Sequence, residues 1–327
     1  MCSIIEPMYT IAVLRGGKGG EHEVSLRSGA TVIESLKRLN YRVVDVFIDK
    51  QEAWYVRGKP MTPERALMGV SLAWNVLHGN SGEDGELQRS LDRLGVKYTG
   101  SGTYASVVAY NKALTKEVLA KHGVLMAQDK KLTVSPNLKE EALAAFRAFS
   151  PPVFIKPATS GSTVGMTLAK TFDEFWVGVT EAFTWSSTVL VEEYIKGKEG
   201  TAGVVEGLRN EALYALPLIE IIPPKENPMF DYDAKYSGKS IERCPGNFTK
   251  AEALEMQRVA RLAHEVLGMR HYSRTDFIVT KRGCYFLETN NAAGVGMTGE
   301  SLFPKSLYAV GITLDEFVQH VTERAMA

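Results

Sequence analysis

Two acidic residues, Asp276 and Glu288, lie within the segment YSRTDFIVTKRGCYFLETN, which reads as a β-hairpin. Centring its turn on Arg282 sets Asp276 opposite Glu288 and Arg274 opposite Asn290. Side chains alternate along a strand, so all four project from one face. Opposed carboxylates repel unless a cation lies between them. Two carboxylates and an amide are hard oxygen donors, a set that suits Mg²⁺ completed by water and phosphate oxygens. An adjacent Arg274 complements phosphate. The alternative is a solvated polar face on which Arg274 simply pairs the acids, and a one-residue slip in register would disperse the cluster.

Other segments add groups of related chemistry. Lys156 ends the strand-like run VFIKP, just before the small-residue loop Thr159–Gly165. Such loops bring backbone N–H groups near phosphate while a lysine supplies charge, although a plain connection would look the same. The GxxxxGK[ST] pattern is absent. Lys112 falls in the first turn of a helix, where a cation opposes the helix dipole unless an anion is close; a surface lysine is the other reading. The loop Gly16–Gly20 lacks the third glycine of GxGxxG, which weakens a dinucleotide reading. Glu23 follows it at a helix start. There a carboxylate suits the positive helix end by itself, or stands at a sheet rim to bind a substrate ammonium. His78, Glu83 and Asp84, in LHGNSGEDG, are hydrogen-bonding and turn residues or parts of a site.

Positioning these groups requires several elements. Residues 1–103 alternate strand and helix signals: Tyr9–Arg15, a helix placing Leu26, Ala30, Ile33 and Leu36 on one face, Tyr41–Ile48, Ser71–Leu77, and ELQRSLDRLG stopped by Gly95. That alternation predicts an open parallel α/β sheet with ligands at the carboxyl ends of its strands. Residues 104–188 read as an α+β unit, with Asn111 capping a helix and SPNLKEEALAAFRAF forming another. Residues 189–327, whose first strand begins at TVLVEEY, are strand-rich and close on a helix opened by the box Thr313-x-x-Glu316. The chain has 327 residues, 45% apolar and 23% charged, which excludes a disordered chain. Lys plus Arg and Asp plus Glu both number 38, so net charge offers no case for a nucleic-acid or membrane partner. Cys2, Cys244 and Cys284 are too dispersed for a disulfide framework or a zinc site. The expectation is a cytoplasmic protein without membrane span or signal peptide.

Taken in order, GGKGGEHEVSLRSG, LHGNSGEDGELQ, YNKALTK, FIKPATSGSTVGM, LVEEYIKGKE, IEIIPP, FDYDAKY, RTDF, LETN and GMTGESLFP resemble the D-alanine–D-alanine ligases of the ATP-grasp superfamily over almost the whole chain. The resemblance implies an ATP-grasp fold behind an N-terminal Rossmann-like sheet, and a homodimer. The implied activity joins two D-alanines through an acylphosphate, for peptidoglycan synthesis. Lys112, Lys156 and Lys235 would contact ATP phosphates. Glu192, Glu193 and Ile195 would lie at the adenine, with Glu199 on the ribose. Asp276, Glu288 and Asn290 would carry two Mg²⁺ ions, with Mn²⁺ a substitute. Glu23 would bind the ammonium of the first D-alanine in a network with Ser162 and Tyr236. Arg274 and the Gly296 N–H would stabilise the oxyanion. Ser301 and Leu302 would receive the second carboxylate, with His78 nearby. A tyrosine at 236 goes with dipeptide rather than depsipeptide formation.

Three positions depart from the family pattern. Asn290–Thr298 reads NNAAGVGMT, two residues longer than the usual passage and without its proline, so Gly294 competes with Gly296 for the oxyanion role. Gly200 stands where an aromatic is common, which would loosen adenine packing, and Asn111 replaces a frequent aspartate. The lengthened passage motivates a second reading, a ligase with D-lactate, D-serine or another amine as second substrate. A catalytically silent nucleotide binder is opposed by the intact acidic trio and the phosphate lysines. An NAD-dependent oxidoreductase rests on the N-terminal sheet alone.

Overall fold

The computed structural model describes residues 9–161, 163–224 and 240–327. In the first unit come strand β1 (Thr10–Gly16), helix α1 (His22–Arg38), strands β2 (Arg42–Ile48), β3 (Trp54–Val56) and β4 (Lys59–Met61), helix α2 (Pro63–Ala66) and strand β5 (Leu72–Asn75). The sheet order is β4-β3-β2-β1-β5, with β1 parallel to β2 and to β5. The expected all-parallel sheet is corrected at its edge, where β3 and β4 pair antiparallel. Arg57 and Gly58 both take positive φ, 51° and 74°, the two-residue turn that a twisted hairpin favours. Short helices α3 (Asn80–Glu83) and α4 (Glu86–Leu94) follow, and Gly95 ends α4 in the left-handed conformation.

The next two helices, α5 (Thr103–Tyr110) and α6 (Lys112–Ala120), pack on the C-terminal unit, and α6 also reaches the middle unit, where Ala113 meets Ala158 and Leu190. Val108, Ala109 and Leu119 share a core with Ala202, Met256 and Phe277. The middle unit proper comprises β6 (Asp129–Thr133), α7 (Leu138–Arg147), β7 (Val153–Pro157), β8 (Thr167–Ala169), α8 (Phe172–Ala182) and β9 (Thr188–Glu193). Its antiparallel sheet runs β6-β9-β7-β8 over a separate core containing Ile155, Phe175 and Val191. Strand Thr188–Glu193 therefore lies inside the middle sheet, and the boundary expected at 188 moves beyond it.

The third sheet holds β10 (Lys198–Glu206), β11 (Leu213–Ala215), β12 (Ile219–Ile222), β13 (Ile241–Arg243), β14 (Tyr272–Thr280) and β15 (Gly283–Asn291), with helix α9 (Lys250–Val266) packed on β10, β14 and β15. The order is β13-β12-β10-β14-β15, and β11 also pairs with β10. Helices α10 (Leu302–Tyr308) and α11 (Leu314–Met326) complete the fold, and the predicted box of Thr313 with Glu316 caps α11. Helix α11 packs back onto α1 and β5, so Phe317 and Val321 share a core with Ile11, Val32 and Trp74. Phe317 meets the Tyr272 ring edge-on at 5.1 Å and the Phe303 ring tilted at 5.4 Å. A ring so enclosed stabilises by about 3–5 kcal/mol relative to alanine.

Candidate active site

The hairpin β14–β15 reaches the expected pairings by a different route. Its turn is the dipeptide Lys281–Arg282, which leaves Thr280 opposite Gly283 and Phe277 opposite Phe286. A bulge then inserts Leu287, and beyond it Asp276 faces Glu288 and Arg274 faces Asn290. Both Leu287 and Glu288 consequently line the same cleft. Arg274 grips Asp276 with two parallel bonds, Nε to Oδ1 at 3.0 Å and Nη2 to Oδ2 at 2.9 Å. Asp276 also accepts from Thr201 Oγ1 at 2.6 Å and from Asn290 Nδ2 at 3.1 Å. Since Nδ2 points at Asp276, Oδ1 is the Asn290 atom left for a cation.

Lys112 lies 3.3 Å from Glu288 and donates to the Ser160 carbonyl at 2.9 Å, which supplies the anion its place in the first turn of α6 demands. Asn111 caps that turn, its Oδ1 accepting from the Leu114 N–H at 3.1 Å. The donor set Asp276, Glu288 and Asn290 is all oxygen and therefore fits Mg²⁺. Among the described residues no group of three or more His, Cys, Asp and Glu gathers to hold a metal. An ion here would complete its shell with water and phosphate oxygens.

On the facing sheet Glu192 is buried between two lysines, with Lys116 2.7 Å from Oε1 and Lys156 2.6 Å from Oε2. Burial pushes its carboxyl up, but the two cations outweigh it and hold the group down at about 2. Lys116 also meets Asp129 at 2.7 Å and the Ala127 carbonyl at 2.9 Å. The Glu193 carboxylate accepts from the Gln128 N–H at 3.0 Å, and Ile195 packs with Ala127 and Tyr285.

Two cavities meet at this point. The larger, about 670 Å³, runs between the middle and third sheets past Phe154, Lys156, Glu192, Ile195, Glu199 and Leu287. Its size and mixed lining suit a nucleotide. The smaller, about 440 Å³, lies towards the first sheet and is lined by Glu21, His78, Glu83, Tyr110, Gly296 and Ser301. Lys112, Arg274, Glu288 and Leu302 line both. Burial lowers the proton affinity of the enclosed His78, as does Arg274, while Glu21 opposes them. Burial and Glu21 push Glu83 up to about 8, although the Gly79 N–H donates to its Oε1 at 2.6 Å.

Residues 10–67 match the family model "D-ala D-ala ligase N-terminus" and residues 119–323 match "D-ala D-ala ligase C-terminus". The chain belongs to the D-alanine–D-alanine ligase family. The D-alanine–D-alanine ligase of Syntrophobacter fumaroxidans is 35% identical over 97% of each chain. That of Geotalea uraniireducens is 36% identical over 96% of this chain and 95% of its own. Among solved structures, D-alanyl-alanine synthetase A from Vibrio cholerae superposes with a TM-score of 0.84 at 29% identity, covering 98% of this chain and 99% of its own. The D-Ala:D-Ser ligase VanG from Enterococcus faecalis also gives 0.84, at 24% identity, over 98% of this chain and 100% of its own. The fold is thus the ATP-grasp fold of D-alanine ligases, with the N-terminal α/β sheet that the sequence implied.

Within this family member most anticipated side chains converge. Lys112, Lys156, Glu192, Glu193, Ile195, Glu199, Asp276 and Glu288 border the larger cavity, and Arg274, Asn290, His78, Gly296, Ser301 and Leu302 border the smaller. Ser162, Lys235 and Tyr236 lie outside the described residues. Glu23 is the exception and is corrected here, because it is exposed on α1 and borders neither cavity. Glu21, which precedes the first turn of α1, lines the smaller one, and its Oε2 would lie 3.2 Å from a Cβ built on Gly161. Glu23, Arg27, Ala30 and Glu34 form an exposed stripe at helical spacing, of which only Arg27 reaches the smaller cavity, so the same periodicity also moves Ala30 off the expected apolar face. Gly200 lines the larger cavity, and a Cβ on it would meet Phe248 at 2.6 Å and Met256 at 2.7 Å on the α9 side of the sheet. Lys116 and Leu287 were not anticipated. The first needed knowledge of the burial of Glu192, and the second needed the bulge.

Proposed function

We propose that this chain uses ATP to join two D-alanines into D-alanyl-D-alanine in the cytoplasm, supplying peptidoglycan synthesis. The observation that carries this reading is the meeting of a nucleotide-sized cavity and a smaller polar one at Lys112, Arg274 and Glu288. A phosphoryl group leaving the first must pass that point to reach a carboxylate in the second. Phosphoryl transfer is dominated by positioning and charge neutralisation, and Lys112 and Lys156 supply cations along this path. Asp276, Glu288 and Asn290 would hold two Mg²⁺ ions, which screen the phosphate charge when bound. Glu21, rather than Glu23, would anchor the ammonium of the first D-alanine. The carboxylate of that D-alanine takes the γ-phosphoryl group of ATP to give an acylphosphate, and ADP is the leaving group. The amine of the second D-alanine then attacks that carbonyl, and phosphate leaves. Arg274 and a backbone N–H would steady the oxyanion. The Gly294 N–H points to Asn291 Oδ1 at 3.4 Å, which favours Gly296 as that donor. Ser301, at the N-cap of α10, and Leu302 would seat the second carboxylate.

The direct experiment measures ADP and phosphate release by the purified chain. Release should require both D-alanine and Mg²⁺, and the product should have the mass of the dipeptide. Glu288→Gln should cut turnover at least about a hundredfold with an unchanged circular dichroism spectrum; near-normal turnover would remove Glu288 from the metal site. The lengthened Asn290–Thr298 passage supports a second reading, with another D-amino or D-hydroxy acid at the second position. A larger yield from D-serine or D-lactate than from D-alanine would establish it.

A further inference from the structure

We propose that the lengthened passage Asn291–Val295 sets the preference for an amine over a hydroxy acid in the second-substrate subsite, with Gly294 seating the Glu83 carboxyl that receives the ammonium. The inference rests on the ligase reading above and concerns the same cavity. The passage opens on Asn291, whose Oδ1 accepts from the Ala293 and Gly294 N–H groups at 3.1 and 3.4 Å, folding Ala292–Gly294 into a 3-10 turn. Asn291 Nδ2 donates to the Glu83 carbonyl at 3.3 Å, which ties that turn to α3. A Cβ built on Gly294 would lie 2.4 Å from Glu83 Oε2, closer than any side chain can approach without displacing the carboxyl. Gly294 does not have a positive φ, so an alanine there would meet no backbone strain and would instead push the Glu83 carboxyl out of its place.

Glu83 lines the cavity that holds both Glu21 and Ser301, and its link to the second site runs through the passage itself, since Gly294 abuts Glu83 and a Cβ on Gly296 would lie 2.7 Å from Ser301 Oγ. One of its oxygens is engaged by the Gly79 N–H and the other faces Gly294. Burial and the neighbouring Glu21 both disfavour its charge. An arriving ammonium relieves both penalties, whereas the neutral hydroxyl of a hydroxy acid relieves neither. Sites built around such a polar partner reject analogues that lack it far more strongly than apolar pockets reject a missing methylene.

The test measures the product ratio when D-alanine and D-lactate compete for the second position, together with KM for each D-alanine. In Gly294→Ala the ratio should fall about tenfold or more towards D-lactate, a loss of about 1.4 kcal/mol of discrimination. The second-site KM should rise more than the first-site KM. Glu83→Gln, which is isosteric, should do the same. Gly294→Ala combined with Glu83→Asp, whose shorter side chain makes room for the new methyl, should recover at least part of the preference. An unchanged product ratio in Glu83→Gln would overturn the proposal. So would a Gly294→Ala variant whose loss persists undiminished in the double variant. If the parent protein makes no dipeptide at all, the ligase reading fails instead, and the two failures are distinguishable.

Discussion

At the scale of single residues, function turns on offsets of one or two positions. Glu21 and Glu23 are both acidic and both stand near the N-terminus of α1, yet only Glu21 borders the substrate cavity. Glu21→Gln should raise the KM for the first D-alanine at least about tenfold, whereas Glu23→Gln should change it less than about twofold. Steady-state kinetics with each variant checks the assignment, and equal effects would return the role to Glu23. The helical register did not separate them, because Arg27 shares the exposed stripe of Glu23 and still reaches the cavity, and a carboxylate after a glycine loop reads alike at either position. The acidic pair Asp276 and Glu288 was legible because strand alternation is a strong rule, whereas the role of Gly294 is visible only once its distance to Glu83 is known.

Elements turn such residues into a site. The bulge at Leu287 allows a two-residue turn and the Asp276–Glu288 pairing to coexist, and it aims an apolar side chain and a carboxylate into the same cleft. No pattern in the sequence announces a bulge; the pairing expected from a symmetric turn proved right for a different reason. Strand β9 carries Glu192 between Lys116 of α6 and Lys156 of β7, so three elements share one charge network. When Lys156 turns to a phosphate, Lys116 remains to balance Glu192. Lys116→Met should therefore lower stability by about 1–3 kcal/mol, because one Glu192 oxygen and Asp129 lose their buried partner while Lys156 still meets the other Glu192 oxygen. It should also raise the KM for ATP. Urea unfolding and ATP titration read the two effects separately, and a loss of stability with an unaltered KM would confine Lys116 to a structural role.

Across the whole molecule, the three sheets depend on contacts between distant parts of the chain. The Gly100 N–H, just after the first sheet, donates to His271 Nδ1 at 2.9 Å at the start of β14. Burial holds this imidazole down at about 4, below the 6.5 of a free histidine. Between those values the unfolded chain binds a proton that the folded protein refuses, so stability falls as pH drops from about 6.5 towards 4. The loss attributable to His271 is about 3 kcal/mol at the acid end. Denaturant unfolding from pH 7 to pH 4 should show it, and His271→Gln should flatten the slope in that interval. The order of sheet-forming segments was legible along the chain, because apolar runs and glycine stops are local signals. The packing of α5 on the third sheet, of α6 between the middle and third sheets and of α11 on the first was not, because amphipathic helices reveal the face they bury but not the surface that covers it.

The return of α11 to the opening sheet has a consequence for biosynthesis. Ile11, Val32 and Trp74 are translated early, but Phe317, Val318 and Val321, which seal them from water, emerge only after every strand has been made. During translation that apolar surface remains uncovered, so the nascent chain should need a chaperone until α11 is released.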